Sequence, residues 1–126
     1  MSWQAYVDNN LLGTGKVAKA AILGLAGGVW AKSPGFDITP EEQKAIIAGF
    51  SAPDTIQASG VRLAGQKFYT LFVIDRTIQA KKAADGVVIV KTKQAVLVAE
   101  YVGPVQAPEV TPIVEGLADY LISVGY

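Results

Sequence analysis

A chain of 126 residues, 51% of them apolar, can bury one hydrophobic core and is read as one domain spanning 1–126. Eleven Lys and Arg balance eleven Asp and Glu, so no net charge draws the chain towards nucleic acid or an anionic membrane, and nucleic-acid binding is not expected. Neither Cys nor His occurs, which removes disulfides, thiolate nucleophiles, the usual zinc ligands and the commonest general base at neutral pH; no catalytic residue, metal site or cofactor is expected.

The opening Met1-Ser2-Trp3-Gln4 lacks a basic stretch followed by an apolar run, so it does not read as a secretory signal. Apolar runs such as 87–90 and 95–99 fall far short of the ~20 residues of a membrane span, and a soluble cytoplasmic protein is expected. Trp3, Tyr6, Val7 and Asn10 recur at helical spacing and predict a short helix over 3–11, ended by Gly13-Thr14-Gly15. Residues 20–24 and 29–32 flank Gly27-Gly28 and predict a hairpin with Trp30 in its second strand. Thr39-Pro40-Glu41-Glu42 is the clearest local signal: an N-cap, a first-turn proline and the returning carboxylate of a capping box. Ile46, Ile47 and Phe50 give that helix its apolar stripe, and Pro53 stops it.

From 61 to 99 the pattern changes to short strands with turn signals at Gly65, Asp75-Arg76, Asp85-Gly86 and Thr92-Lys93, which predicts a meander. Residues 68–74 and 87–90 are apolar at both parities, so both faces of this sheet should be covered by helices. Thr111-Pro112 predicts the start of a last helix with Ile113, Val114, Leu117, Leu121 and Val124 on one face. The fold class expected is α/β of the α+β type. A mostly antiparallel central sheet carries the amino- and carboxy-terminal helices on one face and the smaller Thr39 helix on the other.

Candidate chemistry is sparse. Glu41-Glu42 reads as first-turn acids of a helix, and Gly13-Thr14-Gly15 lacks the Gly spacing and Lys of a phosphate loop. Asp75-Arg76 suits an anion or partner, or a plain turn. Lys81-Lys82 and Lys91-Thr92-Lys93 make a positive patch if neighbouring hairpins join them, and otherwise are solvated strand ends. A hydrolase using carboxylates alone, such as Asp75 with Glu100, needs a pairing that nothing in the sequence supplies. The rings Trp3, Tyr6, Trp30, Tyr120 and Tyr126 either pack in the core or, if the terminal helices lie side by side, form an apolar groove for a polyproline II peptide.

The stretch Met1-Ser2-Trp3-Gln4-Ala5-Tyr6-Val7-Asp8 with Gly13-Thr14-Gly15 resembles the amino terminus of fungal and protist profilins. Ala21-Ile22-Leu23-Gly24 before Val29-Trp30-Ala31, Gly65-Gln66-Lys67, and Leu117-Ala118-Asp119-Tyr120-Leu121 agree in order and spacing. The resemblance covers essentially the whole chain. It implies a non-enzymatic, cytoskeleton-associated protein that binds monomeric actin and proline-rich partners such as formin-type assembly factors, with phosphoinositide headgroups as a third ligand. The implied polyproline site is Trp3, Tyr6, Trp30, Tyr120, Leu121 and Tyr126. The implied actin face is Lys67, Phe72, Arg76, Lys81, Lys91, Gln106, Thr111 and Glu115, and the implied headgroup site is Lys81, Lys82 and Lys91.

Four departures fall on that actin face. Similar profilins carry Arg where this chain has Phe72, a Ser-Ile-Tyr-Gly run where it has Thr77-Ile78-Gln79-Ala80, Lys at Gly116, and a Gly near Pro108. An alternative follows: a profilin-like module that chiefly binds proline-rich scaffolds or phosphoinositides, with actin binding weak or lost.

Overall fold

The computed structural model describes residues 2–126, so Met1 of the amino-terminal motif lies outside the described residues. Helix α1 (Trp3–Ala5) is capped by the Ser2 hydroxyl, which accepts from the Ala5 N–H at 3.1 Å. It widens into a π-helical stretch, Tyr6–Leu11, and tightens into a 3-10 turn, Leu12–Thr14. The helix expected over 3–11 is present, but it buries Val7 and Leu11 and leaves Asn10 exposed. Gly15, at φ 76°, takes the left-handed conformation that closes the segment.

Strands β1 (Lys19–Gly24) and β2 (Val29–Lys32) form the expected hairpin. After α2 (Pro40–Gly49) and α3 (Pro53–Ser59) come β3 (Val61–Leu63), β4 (Gln66–Ile74), β5 (Thr77–Lys82), β6 (Asp85–Lys91) and β7 (Ala95–Tyr101). The chain closes with α4 (Ala107–Ser123). All seven strands join one antiparallel sheet in the order β2-β1-β7-β6-β5-β4-β3, so the meander is flanked by the amino-terminal hairpin.

Side-chain alternation splits the core into two layers. Ile22, Val88, Val90, Leu97 and Tyr101 face the terminal helices and meet Val7, Leu11, Val114, Leu117 and Leu121. Leu23, Ile78, Ile89, Val96 and Val98 face the other way, onto Ile46 and Ile56 of α2 and α3. Helices cover both sides as expected. The Thr39 capping box forms, with the Thr39 Oγ1 accepting from Glu42 N–H at 3.2 Å and Glu42 Oε1 accepting from Thr39 N–H at 2.9 Å. The same carboxylate accepts from the Ala64 and Gly65 N–H groups, both at 2.9 Å, and so ties α2 to the β3–β4 turn.

Four expectations about elements are corrected. Asp85-Gly86 is strand, and the turn is Ala83-Ala84; Gly is needed at 86 because the Tyr101 ring of the facing strand lies over it, where a Cβ would run into the phenol oxygen. The last helix begins at Ala107, not Thr111, because Glu109 Oε2 accepts from the Gln106 N–H at 2.8 Å and Pro108 fits the first turn; Pro112 sits inside the helix. Val124 lies beyond the last turn and is exposed. Pro53 opens α3, which the sequence reading missed, and Gly49 lets it pack closely: a Cβ there would meet Ile56 Cδ1 at 2.6 Å.

Strand β4 departs in another way. Its apolar residues are not covered on both faces, since Tyr69, Leu71 and Ile74 are exposed and Phe72 and Val73 half-buried. It is next to last in the sheet and β3 pairs only with its first three residues.

Candidate functional site

Two surfaces gather the candidate residues, and α4 contributes to both. On the first, α1 and the π-helical stretch bring Trp3 and Tyr6 beside β2 and the end of α4. Trp3 is the hub: its ring centroid lies 4.7 Å from Trp30, 5.0 Å and edge-on from Tyr126, and 5.6 Å and edge-on from Tyr6. Tyr6 continues the strip to Tyr120 at 6.2 Å. Trp30, Tyr120 and Tyr126 are 36%, 49% and 41% exposed, so the strip is open to a ligand along its length. Leu121 is fully buried among the core residues and supports the strip from beneath instead of lining it. The Tyr6 phenol is pushed up from its ordinary value, first by loss of solvent and then by its hydrogen bond with Tyr120 and the nearby Tyr126 phenol.

The backbone beneath explains the rings' placement. Trp30 lies across Gly24, where a Cβ would stand 2.7 Å from the indole Nε1. Gln4 fixes the approach of α1 to β2, its Nε2 donating to the Lys32 carbonyl at 2.8 Å. Neither support stood out among the sequence candidates, although Gln4 and Gly24 both belong to quoted motifs.

The second surface is a hollow of about 410 Å³ between β4, β5 and α4, lined by Phe72, Ile74, Asp75, Arg76, Thr77, Gln79, Thr111 and Glu115. Four residues of the expected actin face, Phe72, Arg76, Thr111 and Glu115, therefore share one wall. Phe72 belongs to neither core layer and faces the hollow half-buried. Arg76 is held from α4: its Nε donates to Glu115 Oε1 at 2.9 Å, and its terminal nitrogen lies 2.7 Å from that oxygen and 2.8 Å from Asp119 Oδ1. The two carboxylates, Asp119 foremost, raise the affinity of Arg76 for its proton and neutralise the cation. Thr77 Oγ1 donates to Glu115 Oε2 at 2.6 Å, and Gln79 Nε2 donates to Thr111 Oγ1 at 3.0 Å.

Lys81 lies on the same side as Gln79, opposite Tyr69, and Lys67 places its ammonium 5.3 Å from the Tyr69 ring centroid. Gln106, at the start of α4, is exposed. Lys91 does not join them. It shares the face of Ile89, the α2 side, where its ammonium lies 5.6 Å from the Phe50 ring centroid.

The three lysines expected to hold a headgroup are not brought together. Lys82 turns to the face opposite Lys81 and is bonded to Gln66. Lys91 sits beside Arg76, whose carbonyl accepts its N–H at 2.8 Å, and this is five residues along the strands from Lys81, roughly 16 Å. Asp75 and Glu100 are likewise at opposite ends of the sheet, so the carboxylate-pair reading has no geometry. Among the described residues, no group of three or more acidic, His or Cys side chains is placed to hold a metal ion, and no helix is long and apolar enough to cross a membrane.

The family model described as Profilin matches residues 1–126. The chain is 53% identical to the profilin of Saccharomyces cerevisiae, over 100% of each chain. The crystallised profilin of Schizosaccharomyces pombe shares its structure with a TM-score of 0.95 at 46% identity, covering 99% of this chain and 100% of that one. Mouse profilin IIa, in complex with a double repeat from the FH1 domain of mDia1, shares the fold at TM-score 0.86 and 23% identity, over 100% of each chain.

Proposed function

The chain belongs to the profilin family, whose members are non-enzymatic actin-binding proteins, and from that premise we propose that it carries actin monomers on the β4–β5–α4 surface while its aromatic strip holds a proline-rich peptide. The observation that carries the peptide half is the ring cluster around Trp3, with three of its five members well exposed. Aromatic surfaces of this kind suit polyproline II segments, whose rigid backbone loses little entropy on docking and whose pyrrolidine rings stack on flat side chains. Formin-type assembly factors are the proposed partners, and the FH1 repeat bound by mouse profilin IIa indicates the kind of peptide to test. The proposed site of action is the cytoplasmic actin cytoskeleton.

The actin half rests on the wall shared by Phe72, Arg76, Thr111 and Glu115, with Lys67, Lys81 and Gln106 nearby on the same side. Its strength is reduced by what stands there. Phe72 supplies no cation, Gln79 no ring and Gly116 no ammonium, and Arg76 is already paired with two carboxylates. Phosphoinositide headgroups would meet Lys81 with Lys67 at the end of β5, while Lys82 and Lys91 point elsewhere. Capture on immobilised polyproline followed by actin titration of the eluted protein tests the two halves separately. A folded Trp3→Ala variant should lose the polyproline resin, and its retention there would remove the aromatic strip from this reading.

A further inference from the structure

The ring of Tyr126 is 41% exposed and lies past the end of α4, beyond Gly125 at φ 99°, so little in its own packing holds it against Trp3. What holds it is backbone. The Tyr126 carbonyl oxygen accepts from the Gln94 N–H at 2.6 Å and from Thr92 Oγ1 at 2.7 Å, and Gln94 Nε2 donates to the Gly125 carbonyl at 2.9 Å. The Gln94 carbonyl in turn accepts from the Leu25 N–H at 2.9 Å, which links this turn to the hairpin that carries Trp30. Thr92 is buried, and its oxygen also accepts from Ala95 N–H at 3.0 Å, closing the β6–β7 turn. The Thr92 N–H also donates to the Ala95 carbonyl at 2.8 Å, so the turn has closing bonds besides the one to Tyr126. The hydroxyl proton has two acceptors in reach, the Tyr126 oxygen at 2.7 Å and the Ala95 carbonyl at 3.2 Å, and the nearer is Tyr126.

We propose that Thr92 and Gln94 are positioning residues of the aromatic strip: they clamp the backbone of 125–126 so that the Tyr126 ring stands edge-on to Trp3, ready for a proline-rich ligand. This rests on the proline-rich reading of the strip. Tyr126 N–H still donates to the Leu121 carbonyl at 2.8 Å and Gly125 N–H to the Ile122 carbonyl at 3.1 Å, so without the clamp residues 125–126 stay tethered to α4 but lose their tie to the β6–β7 turn, and the ligand must order them against Trp3 on binding. The loss therefore falls on affinity more than on folding.

The test compares Thr92→Val, Thr92→Ser and Gln94→Ala with the parent and with Trp3→Ala. Three readouts are taken: affinity for a synthetic proline homopolymer, the thermal unfolding midpoint, and hydrogen exchange at the Gln94 amide. Thr92→Val and Gln94→Ala should each bind roughly three- to tenfold more weakly and exchange the Gln94 amide faster, because each removes one neutral hydrogen bond from the clamp. Thr92→Ser, which keeps the hydroxyl, should stay within about twofold of the parent. If Thr92→Val fails to fold, Gln94→Ala decides, since its side chain is exposed and makes only the Gly125 bond. Parental affinity in Gln94→Ala, with binding lost in Trp3→Ala, overturns the clamp and leaves the strip standing. Parental affinity in a folded Trp3→Ala overturns the strip, and the clamp with it.

Discussion

Replacing Gly24 by Ala adds one methyl group under the indole of Trp30, and the structure fixes how much room it lacks. The new carbon would stand 2.7 Å from Nε1, 3.0 Å from Cε2 and 3.0 Å from the Gly27 carbonyl. Ordinary contact is about 3.5 Å or more, so the indole must retreat by roughly 0.5–1 Å. Trp30 is partly exposed, which gives it an escape towards solvent, and the cost of folding is then the stacking on Trp3, ~0.5–1.5 kcal/mol. For a chain of this length that lowers the unfolding midpoint by about 4 °C. Peptide binding should suffer more. A displaced Trp30 no longer continues the surface of Trp3, and the loss of a central aromatic contact commonly costs ~2 kcal/mol, roughly thirtyfold in affinity. Titration calorimetry with a proline homopolymer measures this, with circular dichroism as the control for folding. A folded Gly24→Ala protein with parental peptide affinity would show that Trp30 is not part of the binding surface.

Two further predictions concern the rest of the molecule. Glu100 is buried on β7, and loss of solvent raises its pKa above the ordinary carboxylate range, with Lys19 and Lys82 only partly opposing this. The folded state therefore holds that proton more tightly than the unfolded chain, and a penalty grows as pH rises from the unfolded to the folded value. Glu100→Gln should raise the unfolding midpoint at pH 7, with the gain shrinking towards pH 4; a gain that does not change with pH refutes the assignment. On the actin side, Phe72→Arg and Gln79→Tyr should each tighten binding of monomeric actin, Phe72→Arg by roughly tenfold or more if it regains a charge-assisted bond. Unchanged affinity in both means that the actin surface uses other positions.

Element types were legible in the sequence where local chemistry decides them. Thr39, Pro40 and Glu42 specify a helix start with no help from the rest of the chain, and the capping box forms as written. The short run 87–90, apolar at both parities and bounded by turn signals, likewise marked a central strand covered on both faces. What escaped reading depends on neighbours distant in sequence. Gly86 looks like turn chemistry until the Tyr101 ring is seen to need its missing side chain. Residues 68–74 look doubly buried because periodicity reports hydrophobicity and not position in the sheet, and here the strand lies next to the edge. Leu121 entered the ligand site through the family resemblance, though successive helix residues point about 100° apart and only Tyr120 of the two reaches the surface. The lysines show the same limit, since Lys91 looks close to Lys81 in the sequence and is separated from it by the length of a strand.

Separation also decides whether the two proposed ligands can be held at once. Trp30 lies on β2 and Phe72 on β4, five strand spacings apart in the sheet order, which is about 24 Å along the sheet. Among the described elements only α4 touches both surfaces, and it does so with different sides: Glu115 and Asp119 hold Arg76, while Tyr120 joins the rings and Leu121 enters the core. Among the described residues, no side chain has partners in both sites. Sites this far apart without shared partners should be additive within about 0.5 kcal/mol. A cycle combining Trp3→Ala with Phe72→Arg should therefore give an actin affinity set by the second change alone, and a proline peptide should leave that affinity within about twofold. A coupling above about 1 kcal/mol would instead mean that α4 shifts as a body when either surface is filled, with the Arg76 ion pairs as the contacts it must rearrange.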